Sequence, residues 1–159
     1  MGYKSKKEFL EDTAKDLENS VRFFHGRNVD FDSLTKDDTY FMWLALFTKT
    51  PVLNDSKLGF NDTTQFVIFC GKQADTDDDP EKYTQALDET GKILDEFVRL
   101  VNWNHKTTSV DLKDASDRIQ FVSAEINEPK VGDFSDVLTG QMLVLTLSFP
   151  DDFDYCSSC

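Results

Sequence analysis

A chain of 159 residues is about one domain long and buries roughly two thirds of its unfolded surface, enough for a self-sufficient core. Hydrophobic residues make up 39% of it, with 14 phenylalanines, so that core is well supplied. Its 30 acidic residues against 17 basic ones give a net charge of -13, which repels phosphate backbones and anionic membrane surfaces and argues against a nucleic-acid binder.

Ser5 followed by Glu8 is a capping box, and Leu10, Ala14, Leu17, Val21 and Phe24 follow at alternating spacings of four and three. The pattern predicts an amphipathic helix over residues 5–24, stopped by Gly26 in the left-handed position after its end. His25 falls in the last turn, where a cation is favoured by the helix dipole; that explains it more simply than proton transfer or metal ligation. Residues 29–38 are turn-like and acidic, with Phe31 and Leu34 tucked against the domain. Residues 39–50 are a continuous apolar and aromatic run ended by Pro51, read as a strand buried on both faces rather than a short buried helix.

Residues 51–62 contain Asn54, Asp55, Gly59 and Asn61 and read as a loop or a hairpin arm carrying Val52, Leu53, Leu58 and Phe60. Residues 63–71 form a second strand, paired with the first as a long hairpin, in which Cys70 is a small buried hydrophobe. The turn over residues 74–79 sets Asp75, Asp77 and Asp79 at alternate positions, as a calcium loop does. Its sixth and twelfth positions are Pro80 and Ala86, where such a loop needs glycine and glutamate, so the turn reads as an acidic helix start.

The helix that follows, residues 79–101, carries Tyr83, Leu87, Thr90, Leu94, Phe97 and Val101 at spacings of four and three, with Ala86, Ile93 and Leu100 widening the stripe. Asp79 is its N-cap and Pro80 its first residue; Asp88 with Lys92 and Asp95 with Arg99 are i,i+4 ion pairs on the outer face. Gly91 costs this helix about 1 kcal/mol relative to alanine. Residues 102–105 turn the chain and residues 107–112 make a short polar strand. Residues 118–126 alternate, but each face is half apolar, which leaves the inward side open. After a loop over residues 127–140, residues 141–149 alternate cleanly, with Leu143, Leu145, Leu147 and Phe149 inward. Pro150 ends that strand, and residues 151–159 are an acidic C-terminal tail on a single domain of residues 1–150.

No phosphate-binding glycine loop, nucleophile elbow, zinc-protease helix or paired cysteine nucleophile is present, and no enzyme activity is expected. Cys156 and Cys159 form one Cys-x-x-Cys, and neither His25 nor His105 pairs with it, so no metal site, catalytic residue or cofactor is expected. No apolar run approaches the ~18 residues of a membrane span, and the start MGYKSKKEFL lacks a signal-peptide core, so the protein is expected to be made and kept in the cytoplasm. The element order predicts an α+β fold, a mainly antiparallel sheet with two long amphipathic helices packed on it.

The opening helix, the strand pair YFMWLALF and TQFVIFCG, the helix over residues 79–101 and the closing LTGQMLVLTLSFPDDFDYC resemble the tail-terminator and tail-completion proteins of tailed bacteriophages. The last of these is similar to the final strand of phage neck and tail proteins, particularly those of phages infecting Bacteroidetes. The resemblance implies a virion structural protein at the head-tail neck or tail end, made in the host cytoplasm. Its implied partners are its own copies in a homo-oligomeric ring and other neck or tail proteins. The loop over residues 127–140 departs from the tight turn such a last hairpin uses.

Large apolar groups among turn residues or in an acidic tail need a neighbour, and they either fold back on their own domain or meet a second copy or another protein, the second case defining an interface. The predicted interface is therefore Leu53, Leu58 and Phe60 in the arm, with Asp151, Asp152, Phe153 and Tyr155 in the tail. Asp55 and Asp62 are expected beside these anchors, meeting basic groups of a neighbour. The competing reading is a stand-alone acidic binding or inhibitor module in the cytoplasm, drawn to a basic partner by its charge.

Overall fold

A computed structural model describes residues 3–4, 6–18, 21–25, 40–54, 59–73, 80–108, 119–128, 138–149 and 155–156. Their order is β1 (Tyr3–Lys4), α1 (Lys6–Lys15), β2 (Arg22–His25), β3 (Phe41–Asn54), β4 (Gly59–Gln73), α2 (Pro80–Thr108), β5 (Gln120–Asn127), β6 (Leu138–Phe149) and β7 (Tyr155–Cys156). Five strands form one sheet in the order β2-β3-β4-β6-β5. It is antiparallel except where β2 runs parallel to β3. The class is therefore α+β, with a largely antiparallel sheet and two helices among the described residues.

Strand pleating puts alternate residues on one face, and here that face meets the helices. Leu143, Leu145, Leu147 and Phe149 of β6 are fully buried, as their alternation predicts. Register sets Ile68 opposite Leu143 and Phe66 opposite Leu145, so β4 adds a second apolar row. Helix α2 lays Ile93, Leu94, Phe97 and Val101 into this cluster, and α1 adds Phe9, Leu10, Ala14 and Leu17. Fully burying each large apolar side chain stabilises by about 1.5–3 kcal/mol. Thr13 and Thr90 are buried with them because each hydroxyl donates to a carbonyl one turn earlier, Phe9 and Ala86, both at 2.8 Å. On the opposite face Phe41 and Phe69 are buried with ring centroids 5.8 Å apart.

Four sequence expectations need correction. The first helix ends at Lys15, not at residue 24: Asp16 and Leu17 donate to the carbonyls three residues back, Thr13 and Ala14, which tightens and closes the last turn. Val21 and Phe23, two apart, pack on the core in place of the helically spaced Val21 and Phe24, since the aromatic run Arg22–His25 is extended and pairs with β3. His25 consequently ends β2 opposite Leu44 and lies at no helix end. The third difference is that β3 continues through Pro51 to Asn54. Pairing with β2 stops at Leu44, so among the described residues that edge of β3 is open at Pro51, where a missing N–H is tolerated. Finally, α2 extends to Thr108, so residues 102–105 continue the helix and Thr107 belongs to it. The expectations for Phe31 and Leu34, for the calcium-like turn at residues 74–79 and for the remainder of the strand at 107–112 lie outside the described residues.

The half-apolar faces of residues 118–126 have a physical origin. Register shifts between Phe121 and Ser123, so Val122 is an extra, 55% exposed residue at a β-bulge. Ile119 before the bulge and Ala124 and Ile126 after it all join the core, although strict alternation assigns them to opposite faces. A second bulge at Ala45 shifts β3 against β4 in the same way.

Two glycine sites set how closely layers approach. Gly140 faces Gly71 across β4 and β6, and a Cβ built on Gly140 would lie 1.9 Å from the Cys70 carbonyl oxygen. Gly91 of α2 faces the Gln141 side chain, whose Nε2 donates to the Leu87 carbonyl at 2.7 Å and ties the helix to β6.

Candidate assembly surface

The hairpin of β3 and β4 outruns its neighbours. Its pairs Val52 with Asn61, Leu53 with Phe60 and Asn54 with Gly59 continue beyond Asp62 and Phe149, the last pair of β4 with β6. At about 3.4 Å per residue the hairpin projects about 10 Å past β6 as a two-stranded arm among the described residues. Leu53 and Phe60 are directly opposed in it. Because Phe149 is the residue before Pro150, the arm and the tail leave adjacent strands at the same end of the sheet.

A polar cluster sits at the base of the arm, under the first residue of α1. The Lys6 ammonium is ion-paired with Asp62 Oδ2 and donates to Thr64 Oγ1 at 3.1 Å, while Thr64 Oγ1 donates to Asp62 Oδ1 at 3.0 Å. Lys49 Nζ is 3.4 Å from the same carboxylate, and Lys6 Nζ lies 4.8 Å from the Phe149 ring centroid. Burial pushes the Asp62 pKa up, but hydrogen bonds from Lys6 and Thr64 and the charges of Lys6 and Lys49 outweigh it and hold the group below 3.8. Asp62 therefore meets basic groups of its own chain, where the sequence reading gave it those of a neighbour. The cluster fastens α1 to the arm.

That fastening has a testable pH signature. Asp62 is less readily protonated folded than unfolded, so its contribution is complete above pH 3.8 and is lost as pH falls through the lower folded-state value. Asp62→Asn leaves the largely covered Lys6 ammonium without its counter-charge and is expected to cost on the order of 1–3 kcal/mol at neutral pH. Urea melts at a series of pH values should show the variant converging on the parent as pH falls below about 3.8; a constant gap would refute the assignment.

Of the predicted contact residues, Leu53 and Phe60 are brought together by the hairpin register. Tyr155 lies in β7, where it pairs with Lys4, while Cys156 pairs with Tyr3. The tail thus docks on the chain's own N-terminal segment. Leu58, Asp151, Asp152 and Phe153 lie outside the described residues.

No family model, curated protein or solved structure matches the chain. Its functional reading accordingly rests on geometry and on the sequence resemblance.

Other groups offer less. Cys70 is fully buried, and burial raises its thiol pKa far out of the reactive range. Burial lowers the His25 pKa below 6.5, with the charge of Lys7 adding to the shift. Among the described residues no cluster of three or more His, Cys, Asp or Glu could hold a metal ion, and no helix is long and apolar enough to cross a membrane. An open depression of about 560 Å³ is lined by Glu81, Thr84, Gln85, Asp88, Glu89 and Lys92 on one side of α2. Sequence reasoning missed the Lys6–Asp62–Thr64 cluster because its members are separated by 56 and 58 positions. The only available signal was that Asp62 and Thr64 occupy alternate places on a face otherwise continued by Phe66 and Ile68.

Proposed function

We propose that this chain is a non-enzymatic virion structural protein of a tailed bacteriophage, acting at the head-tail neck or tail end by assembling into an oligomeric ring. In this reading it has no cofactor, binds no nucleic acid directly and touches no membrane. Its partners are its own copies and other neck or tail proteins; it is made in the host cytoplasm and ends in the virion. Two helices pack on the inner face of the sheet, and the pairs of β3 with β4 run on past the end of β6. The observation that carries the reading is the pairing of Asp62 with Phe149, which sets the base of the arm beside the last residue before the tail. Two stretches selected separately for misplaced apolar residues thereby become one candidate surface. An aromatic anchor buried there contributes on the order of 2 kcal/mol per contact, repeated around a ring.

The β1–β7 pairing favours one second reading, a stand-alone acidic binding module whose tail closes on its own chain. The two part company in an incorporation assay. Deleting residues 150–159 or making Leu58→Ser with Phe60→Ser should leave a folded protein, by circular dichroism and cooperative melting, that no longer enters particles. Normal incorporation with both regions altered would sink the assembly reading.

A further inference from the structure

Basic groups of this acidic chain gather at its start, in Lys4, Lys6 and Lys7, while the tail carries Asp151, Asp152 and Asp154. The two ends meet, with Lys4 opposite Tyr155 and Tyr3 opposite Cys156. They are secured unequally. β1 runs directly into α1, which is anchored by fully buried Phe9 and Leu10 and by the Lys6–Asp62 ion pair. β7 is joined to β6 through residues 150–154, and its sheet is two residues long and has two strands. So small a pair of strands is marginal by itself. Of the two strands, β1 is the one that adjoins an anchored element.

Resting on the assembly reading above, we propose that β1 is the docking strand for the C-terminal tail of a second copy, β7 passing from its own β1 to that of the next subunit on assembly. Exchange replaces each contact with an identical one, so its cost is low. Donor and acceptor are different patches, which is the heterologous geometry that closes rings. Residues 150–154 leave six Cα steps from Phe149 to Tyr155, at most about 20 Å, and β1 lies one strand spacing of about 5 Å from β7, so the neighbour's β1 must lie within about 25 Å of Phe149. With Lys6 committed to Asp62, Lys4 and Lys7 are the basic residues in and beside β1 that favour a strand preceded by Asp151, Asp152 and Asp154 and offset the repulsion between copies that each carry a charge of -13.

The test mixes two versions of the full chain, one Tyr3→Cys with Cys156→Ser and Cys159→Ser, the other Cys159→Ser alone. Antiparallel partners are about 4.5–5.5 Å apart at Cα, within disulfide range, and fully buried Cys70 takes no part. A disulfide between residue 3 and Cys156 then forms only between chains. Covalent heterodimer in the assembled fraction, on mild oxidation, is the expected result. Assembly without heterodimer, while a single chain carrying Tyr3→Cys and Cys159→Ser closes its own disulfide, overturns exchange and leaves assembly standing. Failure of that single-chain disulfide removes the pairing on which exchange depends. An absence of any assembled fraction, with the parent chain equally monomeric, overturns both readings.

Discussion

Phe97→Ala is expected to lower folding stability by about 3–5 kcal/mol. Phe97 is fully buried in the core cluster that also holds Leu94 and Val101 of α2 and Leu143, Leu145 and Leu147 of β6. Truncation removes the transfer free energy of the ring and leaves a cavity that two β-strands and a helix cannot collapse to fill. In urea the midpoint should fall with little change in slope. Arg99→Ala is the control on the same helix: its side chain is 79% exposed and its ion pair with Asp95, at 3.0 Å, is a surface contact worth at most about 1 kcal/mol. Equal effects from the two substitutions would mean that α2 does not cover the sheet.

Gly140→Ala should be comparably severe although it adds one methyl group. The new Cβ would stand 1.9 Å from the Cys70 carbonyl oxygen and 2.6 Å from Gly71 Cα, so backbone must part from backbone within the β4–β6 ladder, at the third pair from the end that closes with Gln73 and Leu138. Overpacking that a rotamer change cannot relieve costs about 3 kcal/mol or more. Gly91→Ala supplies the contrast, because its Cβ meets the movable Gln141 Nε2 at 3.1 Å. A gain of about 1 kcal/mol in helix propensity opposes a weakened bond from Gln141 to Leu87 of similar worth, and the net change should stay within about 1 kcal/mol. Thermal or urea melts that rank Gly91→Ala as the more damaging would show that the two glycines had been assigned the wrong roles.

The elements differ in how far the sequence announced them. β6 was legible from Leu143 to Phe149, where one face is uniformly apolar at period two; its start at Leu138, inside the stretch expected to be a loop, was not, because Thr139, Gly140 and Gln141 break that pattern. The α2 stripe was legible for the same reason at period 3.6, up to Val101; of the next two residues, Trp103 is 64% exposed and neither joins the core cluster. β5 was ambiguous because the bulge at Val122 exchanges its faces midway, and no window-based alternation contains that information. Residues 21–25 misled because Val21 and Phe24 continue a helical spacing, while the decisive influence was a pairing partner, β3, distant in sequence. At the candidate surface the arm residues were visible as apolar groups among turn formers. Asp62 was visible as an acid near them, but its partner Lys6 lies 56 positions away, and local pattern does not report such a pairing.

Native mass spectrometry of the full chain across a range of concentrations, beside a variant combining deletion of residues 150–159 with Leu58→Ser and Phe60→Ser, addresses assembly most directly. The account predicts a discrete closed oligomer for the full chain and a folded monomer for the variant. A full chain that stays monomeric at every concentration, or a variant that forms the same oligomer, would contradict it.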